Sequence, residues 1–198
     1  MAGLATSLGA GAATNSLNQM PDIDTLFLFG SNPTEAHPIV SLYLKEALTN
    51  GAKLIVGDPR KTWMAKRADV WLSLNPGSNI ALLNGIINVI IENGWEKSEF
   101  IAQRTEAFEE LKAKVGEYDL DRVEKLTGVA RQDIIEAARL YSHAEKAMIV
   151  YGLGVTEHQT GTENAMAIAN LALVCGQIGR PSTGIMALRG QNNVQGAS

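Results

Sequence analysis

Residues 24–33 read DTLFLFGSNP, and this stretch decides the fold. Its first six residues are rich in strand formers, and they stop at the turn cluster 30–33, which cannot continue regular structure. Pro38 then suits the first turn of a helix, and Asn50 with Gly51 provides a stop at the far end. The stretch therefore predicts a buried strand, a loop and a helix.

The same pattern of strand and turn occurs twice more along the chain. KLIV at 53–56 is followed by GDPR at 57–60, and DVWLSL at 69–74 is followed by NPGS at 75–78. Consecutive strands that are joined by crossovers pair in parallel. These repeats predict an α/β fold with an open, mainly parallel sheet and helices on both faces.

The remainder of the chain completes a single predicted domain that spans residues 1–198. Residues 80–91 predict a helix in the core, and the charged segment 95–145 predicts a helical insertion. MIVY at 148–151 is a fourth strand, followed by an apolar helix. The glycine-rich segment 179–198 lacks periodicity and is predicted to be an irregular loop.

The connection lengths predict a Rossmann-like strand order of 3-2-1-4. Short crossovers set the first three strands side by side, and the long helical segment lets strand four pair on the free side of strand one. Ligands bind such sheets where the winding reverses, beyond the carboxyl ends of the strands. We therefore expect a cleft between the loops 30–37 and 152–159, with Asp58 near a ribose or base.

From the residues alone, two interpretations of these loops remain open. Their glycines permit close backbone approach to a phosphate, but any connection from strand to helix also needs tight turns. No G-x-G-x-x-G sequence follows strand one. The residues alone therefore support two interpretations of these loops equally: a nucleotide-binding site and tight turns with a structural role only.

Composition excludes several classes of function. A net charge of -4 disfavours nucleic acid as a partner, and one cysteine with three histidines cannot build a metal cluster. The apolar run 80–91 is shorter than the roughly 20 residues that a membrane span requires. The composition favours small molecules as binding partners, and we expect no side chain of this chain to ligate a metal. We expect a cytoplasmic rather than a periplasmic setting.

Five segments together resemble the molybdopterin oxidoreductases of the dimethyl sulfoxide reductase superfamily, and most of all the alpha subunits of formate dehydrogenases. They are FLFGSNPTEAHPIV (27–40), GAKLIVGDPRK (51–61), ADVWLSLNPGSNIALLNG (68–85), YGLGVTEHQTG (151–161) and ALRGQNNVQGAS (187–198). The last segment is the most specific, and the resemblance spans nearly the whole chain.

Position by position, the resemblance implies a set of cofactor-binding residues: Gly30, Ser31, Asn32, Asp58, Arg60, Gly77, Ser78, Asn79, Gly154 and Glu157. The loop 30–32 would hold a phosphate of a molybdopterin guanine dinucleotide. Asp58 and Arg60 would lie near its ribose and guanine, and the segment 77–79 would contact the guanine edge. Gly154 and Glu157 match the loop beside the pterin.

The resemblance also implies a catalytic pair. Arg189 matches an arginine that orients the substrate carboxylate beside the metal, and Gln191 supports the same pocket. A guanidinium fork suits a carboxylate because it donates two parallel hydrogen bonds.

The implied parent is a molybdenum or tungsten enzyme that oxidises formate to carbon dioxide. This chain then corresponds to an internal fragment, with the iron–sulfur domain and the cysteine or selenocysteine metal ligand upstream and a further domain downstream. These domains and the electron-transfer subunits are its expected partners, and the chain alone is expected to be inactive. Two other hypotheses remain: a non-catalytic subunit of a respiratory complex, and a stand-alone nucleotide-binding module.

Overall fold

The computed structural model describes residues 2–191 and Val194. The strands are β1 (Thr25–Phe29), β2 (Lys53–Gly57), β3 (Val70–Leu72), β4 (Ala147–Tyr151) and β5 (Gly184–Ala187). The helices are α1 (Ala2–Leu8), α2 (Pro33–Ala36), α3 (Pro38–Thr49), α4 (Asn79–Glu92), α5 (Ser98–Arg104), α6 (Phe108–Val115), α7 (Leu120–Thr127), α8 (Arg131–His143), α9 (Leu153–Thr156) and α10 (Gly161–Val174). Short 3₁₀ helices cover Leu17–Asp22 and Ala65–Arg67.

The strands form one sheet in the order β3-β2-β1-β4-β5, and each neighbouring pair is parallel. This confirms the predicted order 3-2-1-4 and adds a strand beside β4. Phe29 pairs with Gly57 on one side and with Tyr151 on the other. The central strands therefore end level, and the loops that follow them begin at the same edge of the sheet.

Alternate residues of β1 face two separate cores, as a sheet covered on both faces requires. Phe27 and Phe29 pack with buried residues of α4, α8 and α10. Leu26 and Leu28 pack on the other face with α3 and the first 3₁₀ helix. Helices therefore cover both faces, as predicted.

The segment 95–145, which was predicted to be helical, contains α5, α6, α7 and α8. Helix α8 packs against α4 and reaches β1 and β3, so this segment shares the core of the sheet. The sequence explains α7 well, since Asp119 caps its first turn by accepting from the Arg122 N–H at 2.8 Å.

The prediction that residues 179–198 form an irregular loop is wrong at residues 184–187, which form β5. Four residues are too few to show a period of two, and the strand is defined by its tertiary pairing with β4. Gly184 also suggested a turn, yet it begins a strand. Residues 192–193 and 195–198 of the predicted loop lie outside the described residues.

The loops after β1 and β4 touch through two glycines. The Gly154 N–H donates to the Gly30 carbonyl at 3.0 Å. A Cβ added at Gly154 would lie 2.7 Å from that carbonyl oxygen, and one added at Gly30 would lie 2.7 Å from the Gly154 carbonyl carbon. Only residues without a Cβ permit this approach, because backbone atoms cannot move aside as a flexible side chain can.

We expect Gly30→Ala to destabilise the chain more than Gly94→Ala does. Both glycines have positive φ, +55° at Gly30 and +65° at Gly94, so both variants carry a similar backbone cost of roughly 1–2 kcal/mol. Gly94 has open space around its Cβ position. Overpacking at Gly30 adds about 1–3 kcal/mol. Urea unfolding measures both; equal losses of unfolding free energy would contradict the loop contact.

Candidate functional site

A cleft of about 450 Å³ opens at the carboxyl edge of the sheet. Every strand end contributes to its walls. The lining comprises residues 30–32 and 35–37 after β1, 57–60 at the end of β2, Leu74, Pro76, Gly77 and Asn79 after β3, 152–154 and His158 after β4, and Leu188 with Gly190 after β5. Such a cleft forms where β1 and β4 separate their helices to opposite faces. The volume lies within the range of small-molecule sites.

Most of the cofactor-binding residues implied by the resemblance line this cleft: Gly30, Ser31, Asn32, Asp58, Arg60, Gly77, Asn79 and Gly154. Ser78 and Glu157 are not part of its lining. The Ser78 hydroxyl donates to the Asn75 carbonyl at 2.7 Å, and Glu157 is exposed. The implied site is thus gathered at one edge, apart from these two side chains.

Asp58 lies on the cleft wall at the end of β2 and is only 5% exposed. Its carboxylate accepts from the Arg60 N–H at 2.8 Å, while the Arg60 guanidinium lies 3.9 Å away in solvent. Burial raises the pKa of this carboxyl, and the Arg60 N–H and charge oppose that shift. A desolvated carboxylate gains from hydroxyl or N–H donors, which suits a ribose or a base edge.

Asn79 begins α4 and is 5% exposed. Its side-chain Nδ2 is buried and lacks a hydrogen-bond partner among the described residues. An unpaired buried donor costs about 1–3 kcal/mol, so such atoms call for a partner. Because Asn79 lines the cleft, a ligand acceptor there would satisfy it.

The sequence did not single out several residues of the cleft wall. His158 contributes to the wall, and its Nε2 donates to the Gly154 carbonyl at 2.9 Å, which fixes the loop after β4. Its place four residues after Gly154 was the available signal. Glu35 and Leu188 also line the cleft. His37 joins α2 to α3 and lines the cleft too.

Side-chain charge in the cleft is close to balanced. Among the described residues that line it, Arg60 is the only Lys or Arg, and Glu35 and Asp58 are the acids. An anionic group here therefore depends on backbone N–H groups as well as on Arg60. Within the described ranges, no cluster of three or more metal-ligating side chains is found.

Arg189 lies beside the cleft, between the lining residues Leu188 and Gly190. It is half-buried, and its guanidinium donates to the Gly11 carbonyl at 3.1 Å. Its positive charge opposes the rise in the pKa of Tyr151 that burial causes. Gln191 is exposed. Neither Arg189 nor Gln191 is part of the cleft lining.

A second cavity, of about 1210 Å³, lies at the opposite edge of the sheet. Residues just before β4 and just before β5 line it, together with parts of α1 and α5. It is remote from the strand ends at which parallel sheets bind ligands. We therefore assign the candidate site to the smaller cleft.

This architecture defines an open parallel α/β domain with a ligand cleft at its carboxyl edge. The chain matches the family model for molybdopterin oxidoreductases over residues 4–198, and it belongs to that family. No helix in the described part of the chain is long and apolar enough to cross a membrane.

Similar proteins support the same assignment. The alpha subunit of F420-dependent formate dehydrogenase 2 of Methanococcus maripaludis is 49% identical over 98% of this chain and 29% of its own length. Formate dehydrogenase H of Escherichia coli is 46% identical over 100% of this chain and 28% of its own length. The chain thus spans less than a third of these relatives.

Acetylene hydratase from Pelobacter acetylenicus has a similar solved structure. It matches with a TM-score of 0.82 and 33% identity, over 93% of this chain and 25% of that one. The fold is therefore shared with a protein that is named for another reaction.

The family implies a molybdopterin cofactor, and the residues present fit one. The unpartnered Asn79 amide, the buried Asp58 carboxyl and the glycine contact between Gly30 and Gly154 all lie at one cleft. Ser31, which is 8% exposed, adds a hydroxyl to the same wall. These groups offer donors and acceptors for the polar parts of such a ligand.

We expect Asn79→Leu to leave the free chain as stable as the parent or up to about 1 kcal/mol more stable, because it removes an unpaired buried donor. The matched control is Asn164→Leu. Asn164 is 1% exposed, and its Nδ2 donates to the Val155 carbonyl at 2.8 Å, although its Oδ1 is buried without a partner among the described residues.

The control variant leaves that carbonyl unpaired and should lose about 1–3 kcal/mol. Urea unfolding of both variants makes the comparison. If Asn79→Leu lost as much stability as Asn164→Leu, the Asn79 amide would already be satisfied within the chain.

Proposed function

We propose that this chain forms the dinucleotide-binding cleft and the substrate arginine of a molybdenum- or tungsten-dependent formate dehydrogenase. The cofactor would be a molybdopterin guanine dinucleotide. The observation that carries the proposal is the convergence of Gly30, Asp58, Asn79 and Gly154 on one cleft. Arg189 follows two residues after β5, the strand that ends beside this cleft. Similarity to two formate dehydrogenases supports the choice of substrate.

The loop after β1 would bind the diphosphate of the dinucleotide. Gly30 brings the backbone to the cleft, and Ser31 and Asn32 lie immediately before α2. The Asn32 side chain accepts from the Thr34 hydroxyl at 2.7 Å, which orders the loop around it. Backbone N–H groups and Arg60 would together balance the phosphate charge.

Asp58 and Asn79 would select the nucleoside. A carboxylate accepts the hydroxyl groups of a ribose or the adjacent N–H groups of guanine, and the Asn79 amide would donate to a guanine oxygen or ring nitrogen. Burial makes each of these contacts stronger, because neither group keeps a full hydration shell. Gly77, whose backbone φ is +88°, turns the chain into α4 at this point.

Arg189 would orient formate. Its guanidinium carries several donors and contacts the Gly11 carbonyl, so donors are left to hold both oxygens of a carboxylate. Gln191 would add an amide contact from the next turn of chain. When bound, the molybdopterin-held metal supplies the acceptor for the two electrons that formate loses on becoming carbon dioxide.

The relatives are more than three times as long as this chain, and we infer that the remaining machinery comes from other domains. An iron–sulfur cluster, the metal ligand and electron-transfer subunits would complete the enzyme. The chain's own contribution is binding and orientation, which is the usual division of labour in enzymes whose cofactor performs the redox step.

In the holoenzyme, Arg189→Lys should lower kcat/KM for formate by about 30- to 1,000-fold, or about 2 to 4 kcal/mol. Lysine keeps the charge but loses the two-pronged fork. Steady-state kinetics at verified metal content measures the effect. Arg180→Lys is the control, because Arg180 donates to the Glu145 and Gly176 carbonyls at the opposite edge. Normal turnover and formate affinity in Arg189→Lys would remove Arg189 from the substrate site.

A further inference from the structure

One side-chain contact joins the loop after β1 to the segment after β5. The His37 Nε2 lies 2.6 Å from the Arg189 carbonyl oxygen, although the two residues are 152 positions apart in sequence. Strands β1 and β5 are separated by β4 in the sheet. The contact therefore joins segments that follow two strands which are not neighbours in the sheet.

The backbone of His37 is well fixed. Its N–H donates to the Pro33 carbonyl at 3.0 Å, and its carbonyl accepts from the Ser41 N–H at 2.9 Å. These bonds end α2 and begin α3, so His37 sits at the junction of two helices. A side chain at this position can hold a distant segment in place, because the backbone that carries it is fixed by hydrogen bonds on both sides.

The backbone around Arg189 is held on its amino side by pairing with β4, and on its carboxyl side the hydrogen bond from His37 holds it. Leu188 is held by its N–H, which donates to the Tyr151 carbonyl at 2.8 Å and extends the pairing with β4. The Arg189 guanidinium reaches the Gly11 carbonyl. Gly190 and Gln191, which follow, are exposed. The bond from His37 fixes the last carbonyl before this exposed turn.

The chemistry of the contact also fixes the proton on the ring. A carbonyl oxygen only accepts, so Nε2 must carry the hydrogen and donate. The other ring atom, Nδ1, is buried without a hydrogen-bond partner among the described residues. In the neutral ring, Nδ1 is then an acceptor, and the contact to the Arg189 carbonyl is the hydrogen bond that the described residues offer this ring.

We propose that His37 is a positioning residue for Arg189: its Nε2–H holds the Arg189 backbone, and thereby aims the guanidinium beside the cofactor cleft. The catalytic consequence rests on the proposed function, whereas the contact itself does not. Formate binding and cofactor binding would then be coupled mechanically, since His37 also lines the cleft.

The contact is tested first without any activity measurement, by ¹⁵N NMR of the three histidines of the chain. The proposal requires the Nε2–H tautomer for the neutral His37 ring. It also requires a change in the Gly190 amide shift in His37→Phe, because that amide shares a peptide unit with the Arg189 carbonyl. The Nδ1–H tautomer, or an unchanged Gly190 signal, would overturn it.

Two variants of the holoenzyme test the positioning role. His37→Phe keeps a ring of similar size but has no donor, and it should reduce kcat/KM for formate about 3- to 10-fold, mainly through a higher KM. His37→Gln returns an amide donor close to the Nε2 position and should recover most of the loss. If the His37 ring acted only by filling space, the amide donor of His37→Gln would not restore kcat/KM.

The two failures can be told apart. Equal efficiencies of the parent and His37→Phe, or a His37→Gln variant no better than His37→Phe, would overturn the positioning role while formate oxidation stands. If the parent holoenzyme does not oxidise formate, the proposed function fails, and the NMR result alone decides whether His37 holds Arg189.

Discussion

The backbone contact between Gly30 and Gly154 sets the distance between the two loops on which the site depends. Parallel pairing brings the ends of β1 and β4 to the same level, but level strands alone do not make a cleft. The loops must leave in different directions and still touch at their base. The Gly154 N–H donates to the Gly30 carbonyl at this base, and His158 ties the same loop from the Gly154 carbonyl. The main effect of the two glycines is therefore to let the loops pack against each other. Access of a ligand to the cleft follows from that packing.

Much of this arrangement could be predicted from the sequence. Each of the first three strands ends in a turn cluster rich in Gly, Pro, Asn or Asp, and the long helical segment before β4 determines where that strand pairs. The level strand ends then place Asp58 and Asn79 near Gly30. What the sequence could not give is β5, because four residues in a glycine-rich segment show no period, and their strand geometry comes from pairing with β4. The tie from His37 to Arg189 was hidden for the same reason, since no local pattern reports a contact across 152 positions.

The fold alone does not choose the reaction. A protein named acetylene hydratase shares it at a TM-score of 0.82, so the choice must lie in side chains at the cleft and beside it. In the proposed function, the strand-end loops would supply the dinucleotide contacts, while the segment after β5 carries Arg189. Because β5 lies next to β4, the segment that carries Arg189 and the loops that line the cleft lie at one edge of the sheet. This division would explain how one cofactor cleft can serve several chemistries.

The most direct test of the central claim is a structure of the cofactor-loaded enzyme that contains this chain. We expect a dinucleotide whose phosphate oxygens lie within hydrogen-bond distance of the loop 30–32, with its base beside Asp58 and Asn79. A dinucleotide bound in the 1210 Å³ cavity at the opposite edge, or one whose phosphates lie far from Gly30, would contradict it.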